Sequence, residues 1–194
     1  MAVTSLSLLE RLQRQPNAAD WQRLTDIYLP LIQSWRARTP GLHDEASDVA
    51  QEVMIVLVRE IPGFQRQREG SFRKWLRLVT VNRVRQYCRE RARRPRVGLD
   101  FAATDDFLAL LADPSSELAE QWNREHDRMV FDRLLAAVKS DFQPQTWEAF
   151  RRFAIEEASA AEVSKEFGIS PNAVVLAKAR VLQRLREEAG VMMD

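Results

Sequence analysis

Apolar residues recur three or four positions apart along most of the chain, which is the spacing of one face of an α-helix. The first such series predicts a helix over residues 18–38, whose inward-facing residues are Leu24, Ile27, Tyr28, Leu31 and Trp35. The next series predicts a helix from residue 43 or 44 to 61, whose inward-facing residues are Ala46, Val49, Ala50, Val53, Leu57 and Ile61. No alternating strand pattern lies between turn signals, so the expected fold class is all-α.

A third long helix is predicted to follow Ser71 as its N-cap and to end near residue 95. Its expected apolar face consists of Phe72, Trp75, Leu76, Val79 and Tyr87. Between residues 95 and 114 no helical period is sustained, and glycine, proline and paired aspartates indicate a linker. A further helix is expected from Ser115 or Ser116 through Val138.

The C-terminal part of the chain carries clear capping signals. A helix is predicted over residues 143–157, and its inward-facing residues are Trp147, Phe150 and Ile155. Ser159 and Glu162 have the spacing of a capping box, which begins a short helix ending at residue 167. Gly168 suits a left-handed C-cap, and Pro171 suits the first turn of a final helix to about residue 189. This arrangement is a helix-turn-helix, a motif common in DNA-binding proteins.

The net charge of +1 hides two blocks of opposite sign. Residues 66–96 contain twelve basic and two acidic side chains, a net charge of +10, whereas residues 97–130 carry a net charge of −6. Solvated helices usually mix both signs four residues apart, so the basic block needs a polyanion nearby. The two candidates are nucleic acid and the acidic linker, folded back in the free protein. We favour nucleic acid, because lysine and arginine release counterions from phosphates. An ordinary solvated face is the simpler alternative.

Aromatic residues are interleaved with the basic block. Phe64, Phe72, Trp75 and Tyr87 are of the kind that stacks on unpaired bases. The helical phase places Phe72 and Trp75 on the apolar stripe, so the core is the favoured location for these two residues.

A second candidate surface lies on the outer side of the helix predicted to end at residue 61. Its members, spaced four, three and four positions apart on one face, are Asp48, Glu52, Ile55 and Arg59. An isoleucine among charged residues is either an ordinary exposed apolar residue or the anchor of a protein interface with a polar rim.

No residue pattern indicates catalysis, a metal site or a cofactor site, so the chain is not expected to be an enzyme. His43 and His126 are far apart and are expected at surface or capping positions, and Cys88 has no partner for a disulfide. No glycine loop for phosphate binding is found. The chain has neither an apolar run that could cross a membrane nor a secretory signal pattern, so the cytoplasm is the expected location.

Two segments resemble a known family. The run Asp48-Val-Ala-Gln-Glu-Val-Met54, followed by Phe64 and by Phe72-Arg-Lys-Trp-Leu-Arg-Leu-Val-Thr-Val-Asn82, is similar to region 2 of extracytoplasmic-function sigma factors in the sigma-70 superfamily. The run from Ala161 to Arg186, which includes the helix-turn-helix, is similar to region 4.2 of the same family. The order and separation of the two runs also match that family.

The resemblance implies two small helical domains, region 2 at residues 1–95 and region 4 at residues 115–194, joined by a flexible acidic linker at 96–114. It implies a protein without a cofactor that binds core RNA polymerase and promoter DNA and starts transcription. The linker would thread toward the active-site and RNA-exit channel of the polymerase. An anti-sigma factor or another regulator stays open as a further partner.

Three groups of site residues follow from the resemblance. The residues expected to bind the β′ clamp of the polymerase are Asp48, Gln51, Glu52, Ile55 and Arg59. The residues expected to melt and read the minus-ten element are Phe64, Arg68, Ser71, Arg73, Lys74, Asn82, Arg83, Arg85, Gln86 and Arg89. The residues expected to read the minus-thirty-five element, in a domain that also touches the β flap, are Ser170, Asn172, Val175, Leu176, Ala179, Arg180, Gln183 and Arg184.

The final helix departs from the family pattern, because Val175 and Ala177 stand where relatives often carry lysine or arginine. At 100° per residue, the core side is Val174, Val181 and Leu185. The outer side is Asn172, Val175, Leu176, Ala179, Arg180 and Gln183. This weakly basic face leaves three alternatives open: contact with thymine methyl groups, weak DNA binding, or a protein partner.

Two other functions compete with a sigma factor. A stand-alone helix-turn-helix regulator would bind duplex DNA without polymerase, and the stripe from Asp48 to Arg59 would then have no role. A DNA-processing enzyme such as a recombinase would need a nucleophile or a carboxylate cluster in the basic domain, which offers only Cys88 and scattered acids.

Overall fold

The structure is a computed structural model that describes residues 7–42, 47–65, 71–92 and 101–189. Every regular element in these ranges is helical, which confirms the all-α fold class. The chain divides into two compact units, Leu8–Phe131 and Asp132–Gly190. The division falls inside the helix Glu117–Val138.

The described residues form nine α-helices. Those that lie wholly in the first unit are α1 (Leu8–Arg14), α2 (Ala18–Arg38), α3 (Ser47–Glu60), α4 (Ser71–Ala92) and α5 (Phe101–Ala112). Helix α6 (Glu117–Val138) runs from the first unit into the second. The remaining helices are α7 (Pro144–Phe150), α8 (Ala160–Phe167) and α9 (Pro171–Ala189).

The core of the first unit is built around α3, which packs against α2 on one side and α4 on the other. The inward-facing residues predicted for α2 and α3 are buried, apart from Ala46, which lies outside the described residues. Burial of each large aliphatic side chain contributes about 1.5–3 kcal/mol. Helix α2 begins at the predicted residue because Asn17 caps it, accepting a hydrogen bond from the backbone N–H of Asp20 at 2.8 Å.

Helix α1 was not predicted from the sequence. It buries Leu8, Leu9 and Leu12, and it packs against α2 and the short turn that follows α3. The Gln13 side-chain amide donates to the carbonyl oxygens of Ile61 at 3.1 Å and Phe64 at 2.7 Å. Helix α1 thereby holds the start of the loop that leads from α3 to α4.

The predicted linker is wrong in its local structure, because residues 101–112 form helix α5. This helix packs against α4 and buries Leu108 and Leu111. The Thr104 hydroxyl donates to the carbonyl oxygen of Pro40 at 2.8 Å, across 64 positions of sequence. The helix is mostly apolar and carries no regular polar face, so tertiary packing rather than local pattern determines it.

The buried stripe of α4 also differs from the prediction. Phe72 and Leu76 are buried as expected, whereas Trp75, Val79 and Tyr87 are only half-buried. The other buried residues of α4 are Arg77, Thr80, Val81, Val84 and Cys88. These buried residues recur about every four positions, so the buried face of α4 turns toward α5. The segment that forms α5 was predicted to be part of the linker. Ser71 is the first residue of the helix rather than its cap.

The second unit holds the predicted helix-turn-helix, in which α9 packs against both α7 and α8. Trp147 and Phe150 are buried as expected. The helix predicted to run to residue 157 changes at Arg151–Ile155 into a π-helical turn. A π turn takes in one more residue than an α turn and so rotates the following residues, which leaves Ile155 47% exposed; its predicted inward position is wrong.

Candidate nucleic-acid and protein interfaces

The outer stripe of α3 is accessible along its length. Asp48, Gln51, Ile55 and Arg59 are exposed and Glu52 is half-buried. Ile55 is 63% exposed, and its neighbour Val58, which was not predicted as part of this surface, is 47% exposed. The stripe thus presents an apolar centre with acidic residues toward the start of the helix, while α2 and α4 hold the opposite side rigidly.

An aromatic cluster connects the end of α3 to the start of α4. The ring of Phe64 lies 5.3 Å from that of Phe72 and 5.1 Å from that of Trp75, between centroids. Phe72 is fully buried, so its predicted core role is confirmed, but Phe64 and Trp75 are half-buried. These two rings line an open cavity of about 670 Å³, together with Ser71 and Lys74. A cavity with aromatic walls and a cation at its edge can stack a planar nucleobase and hold the phosphate beside it.

One part of α4 faces solvent. Asn82, Gln86 and Arg89 are exposed and Arg83 is half-buried. Arg83 donates to the Gln86 side chain at 3.0 Å, and both can rearrange because the pair is at the surface. Arg68 lies outside the described residues.

Three other arginines of α4 contact α5 and α6, and of these Arg73 and Arg85 are half-buried and Arg77 is buried. Arg73 Nη1 lies 2.5 Å from Asp127 Oδ2, and Arg85 Nε lies 3.7 Å from Asp105 Oδ1. Arg77 is 2% exposed, and its Nη1 donates to the carbonyl oxygen of Ala119 at 3.2 Å. Part of the basic block therefore faces the acidic part of the chain within the first unit. The buried position of Arg77 was not predicted, because no local signal distinguishes it from its basic neighbours.

An aromatic seam holds the first half of α6 on α2. Trp122 packs on Trp35 with ring centroids 5.1 Å apart, and His126 packs on Tyr28 at 5.8 Å. All four rings are buried. The Arg38 guanidinium and the Glu125 carboxylate form an ion pair at 2.7 Å beside the seam.

The buried position of His126 contradicts the surface or capping position expected for it. Burial lowers the pKa of His126, and the Asp127 carboxylate, whose Oδ1 is 3.0 Å from the ring Nδ1, opposes that shift only in part. The imidazole is therefore neutral at neutral pH and behaves as part of the core. His43 lies outside the described residues.

The helix-turn-helix is fixed by the caps that the sequence predicted. The Ser159 hydroxyl accepts from the Glu162 backbone N–H at 3.2 Å, and the Glu162 carboxylate accepts from the Ser159 backbone N–H at 2.8 Å. Gly168 has φ +63°, a conformation that a residue with a side chain adopts only under strain. Val163 of α8 and Val174 of α9 are fully buried between the two helices and α7.

The outer face of α9 is open. The six residues that helical phase placed there are all exposed: Asn172, Val175, Leu176, Ala179, Arg180 and Gln183. Val175 is 48% and Leu176 44% exposed, whereas Ala177 is buried and takes no part in this face. The Ser170 hydroxyl caps α9 by accepting from the Ala173 backbone N–H at 3.2 Å.

The guanidinium of Arg184, which was predicted to contact the minus-thirty-five element, is already held in ion pairs. It donates to Asp141 Oδ2 at 2.9 Å and to Glu188 Oε2 at 3.1 Å. Two carboxylates therefore already neutralise the cation expected to assist the outer face of α9.

The part of the chain that the structure describes holds no group of three side chains able to ligate a metal. None of its helices is long and apolar enough to span a membrane.

Comparison with known proteins agrees with this arrangement. Residues 24–94 match the family described as sigma-70 region 2. A protein of Xanthomonas campestris pv. campestris described as the probable RNA polymerase sigma factor RfaY is 27% identical to the chain over 143 residues. The aligned part covers 74% of this chain and 34% of that protein, so the chain spans about a third of the length of this relative.

Proposed function

We propose that this chain, whose residues 24–94 match sigma-70 region 2, is a sigma factor that binds core RNA polymerase and directs promoter recognition and transcription initiation. The match of region 2 to α2, α3 and α4 carries the proposal, because these helices present both an open stripe and a basic face. The two helical units and the second-unit helix-turn-helix support a place in the extracytoplasmic-function class. The protein would act in the cytoplasm, where it has no catalytic role of its own.

The polymerase contact is assigned to the outer stripe of α3. Asp48, Gln51, Glu52, Ile55 and Arg59 would bind the coiled coil of the β′ clamp. An exposed isoleucine surrounded by charges suits such an interface, because desolvation of the apolar centre supplies affinity and the rim supplies orientation.

The minus-ten contact is assigned to the cavity beside Phe64 and Trp75 and to the exposed side of α4. An unpaired base would stack in the cavity, and Asn82 would both donate to and accept from a base edge. The exposed cations would hold phosphates on the melted strand. The minus-thirty-five contact and a touch on the β flap are assigned to the second unit, and an anti-sigma factor or another regulator is a candidate partner.

Co-purification with core polymerase, followed by run-off transcription on a promoter selected in vitro with the reconstituted enzyme, tests the proposed function. Stable association and initiation at a defined position are expected. Binding of the chain to specific duplex DNA without any association with core polymerase would instead identify a stand-alone helix-turn-helix regulator.

Replacing Asn82 with alanine is expected to impair promoter opening by about tenfold or more, because one amide contact to a base edge is lost. Folding should persist, since Asn82 is exposed. Permanganate reactivity of unpaired thymines measures the opening, and affinity for core polymerase should stay unchanged. The matched control is Gln22→Ala, which removes an exposed amide from α2. Wild-type reactivity in Asn82→Ala would remove this residue from the minus-ten site.

Helices α5 and α6 pair with some of the arginines of the basic helix α4. We therefore expect the free chain to bind DNA less tightly than it would with these arginines unpaired. Asp105→Asn together with Asp127→Asn would release Arg85 and Arg73. Pairs at a surface contribute about 0–1 kcal/mol each, so the expected gain in affinity is about two- to fivefold. Fluorescence anisotropy with a duplex at low salt measures it. Asp26→Asn together with Asp132→Asn makes the same change of net charge at two exposed positions away from α4 and serves as the control. An equal gain in this control would contradict the masking.

A further inference from the structure

We infer that Val175 and Leu176 on the outer face of α9 read thymine methyl groups in the major groove of the upstream promoter element. The inference rests on the proposed function, since it names the base feature that the helix-turn-helix would recognise. One of the two, Val175, occupies a position where the family often carries lysine or arginine.

The position of the two residues in the motif is the first support. In a helix-turn-helix, the N-terminal residues of the second helix meet the base edges. Helix α9 begins at Pro171, so Val175 and Leu176 are its fifth and sixth residues. Val174, which lies between them and the helix start, is fully buried against α8, so the phase of the helix is fixed. The exposed pair is therefore directed away from the core of the unit.

The chemistry of the neighbouring residues is the second support. Asn172 and Gln183 share the outer face with the aliphatic pair. Asparagine and glutamine pair with N6 and N7 of adenine, while aliphatic groups favour the C5 methyl of thymine. A face that combines both is complementary to A·T pairs, whose major-groove edge presents both features. A protein interface would not require this combination.

The small number of cations on the outer face of α9 is the third support. Among the six outer residues of α9, Arg180 is the one with a positive charge. Arg184 is neutralised by two carboxylates, and Lys178 Nζ lies 5.2 Å from the centre of the Phe153 ring. The outer face therefore offers one cation, Arg180, for phosphate contacts, and contacts with base edges contribute a larger share of its affinity.

Deoxyuridine provides the test, because it pairs like thymine but lacks the methyl group. The full chain is titrated into two synthetic duplexes of the same length, one of alternating adenine and thymine, the other of alternating adenine and uracil. The wild-type chain is expected to bind the thymine duplex more tightly, by about fourfold for each methyl contact, the fold-change for burying one CH2 group.

Val175→Ala together with Leu176→Ala should bring the ratio of the two affinities close to one, while affinity for the uracil duplex stays the same. Any remaining affinity of this double variant reports DNA contacts made elsewhere in the chain. The matched control is Ile155→Ala, which truncates an equally exposed aliphatic residue outside the helix-turn-helix and should keep the wild-type ratio. Circular dichroism verifies that each variant is folded.

Equal affinities of the wild-type chain for the two duplexes, or no detectable binding to either, would overturn the inference. Self-association that is lost in the double variant, with no thymine preference, would show that the face is a protein interface instead. The proposed function is judged separately by core binding and run-off transcription. Intact transcription without a thymine preference would therefore refute the methyl contact alone.

Discussion

Arginine at both Asp48 and Glu52 is expected to weaken the binding of core RNA polymerase by about 100- to 1,000-fold, or about 3–4 kcal/mol. The two carboxylates lie on the outer stripe of α3, four residues apart and beside the exposed Ile55. Reversing their charge replaces attraction to a basic partner surface with repulsion at short range. The stability of the chain should change little, because Asp48 is exposed and Glu52 only half-buried.

Fluorescence titration of labelled chain with core polymerase measures this loss. The control variant is Glu117→Arg with Glu120→Arg, which makes the same change of net charge at two exposed positions of α6. Wild-type affinity in the control and a large loss in the α3 variant are expected. Similar losses in both would point to a general charge effect, and no loss in the α3 variant would remove the stripe from the interface.

Truncation of Trp122 to alanine is expected to lower the free energy of unfolding of the first unit by about 3–5 kcal/mol. The indole is fully buried and packs on Trp35 at 5.1 Å. Its Nε1 has no hydrogen-bond partner, so the loss comes from packing and from the cavity left behind. Such a loss would show that the first half of α6 is part of the core, as its side-chain contacts indicate.

Urea unfolding followed by circular dichroism measures the change in stability. Trp122→Phe keeps an aromatic ring in the same place and should lose much less than Trp122→Ala. Trp21→Ala on α2 provides a comparison at a half-buried position. A loss below about 1 kcal/mol in Trp122→Ala would mean that α6 contributes little to the core of the first unit.

Elements with local signals were predictable from the sequence. The bounds of α2 and both caps of α8 were predicted correctly, because Asn17, Ser159 and Gly168 each act on neighbours within a few residues. The outer face of α9 was predicted by helical phase alone, since a helix buried on one side leaves the other side open.

Elements that depend on distant partners were not predictable. Helix α5 lacks a polar face and forms because it packs on α4. Arg77 resembles the other cations of the basic block in sequence, yet it is buried because the Ala119 carbonyl oxygen, 42 positions later, accepts its hydrogen bond. His126 was expected at the surface because nothing nearby in sequence indicates the Tyr28 ring that covers it.

The packing of α6 on α2 also has a consequence for synthesis of the chain on the ribosome. The ring of Trp35 stays uncovered until Trp122 has been added. The core of the first unit is therefore still incomplete when the segment that resembles region 2 has left the ribosome. The 36 residues from 96 to 131 must follow. At roughly 5–20 residues per second, they take about 2–7 seconds. During that interval the nascent chain displays an aromatic surface on α2 to chaperones, and a pause in translation within this stretch would lengthen the exposure.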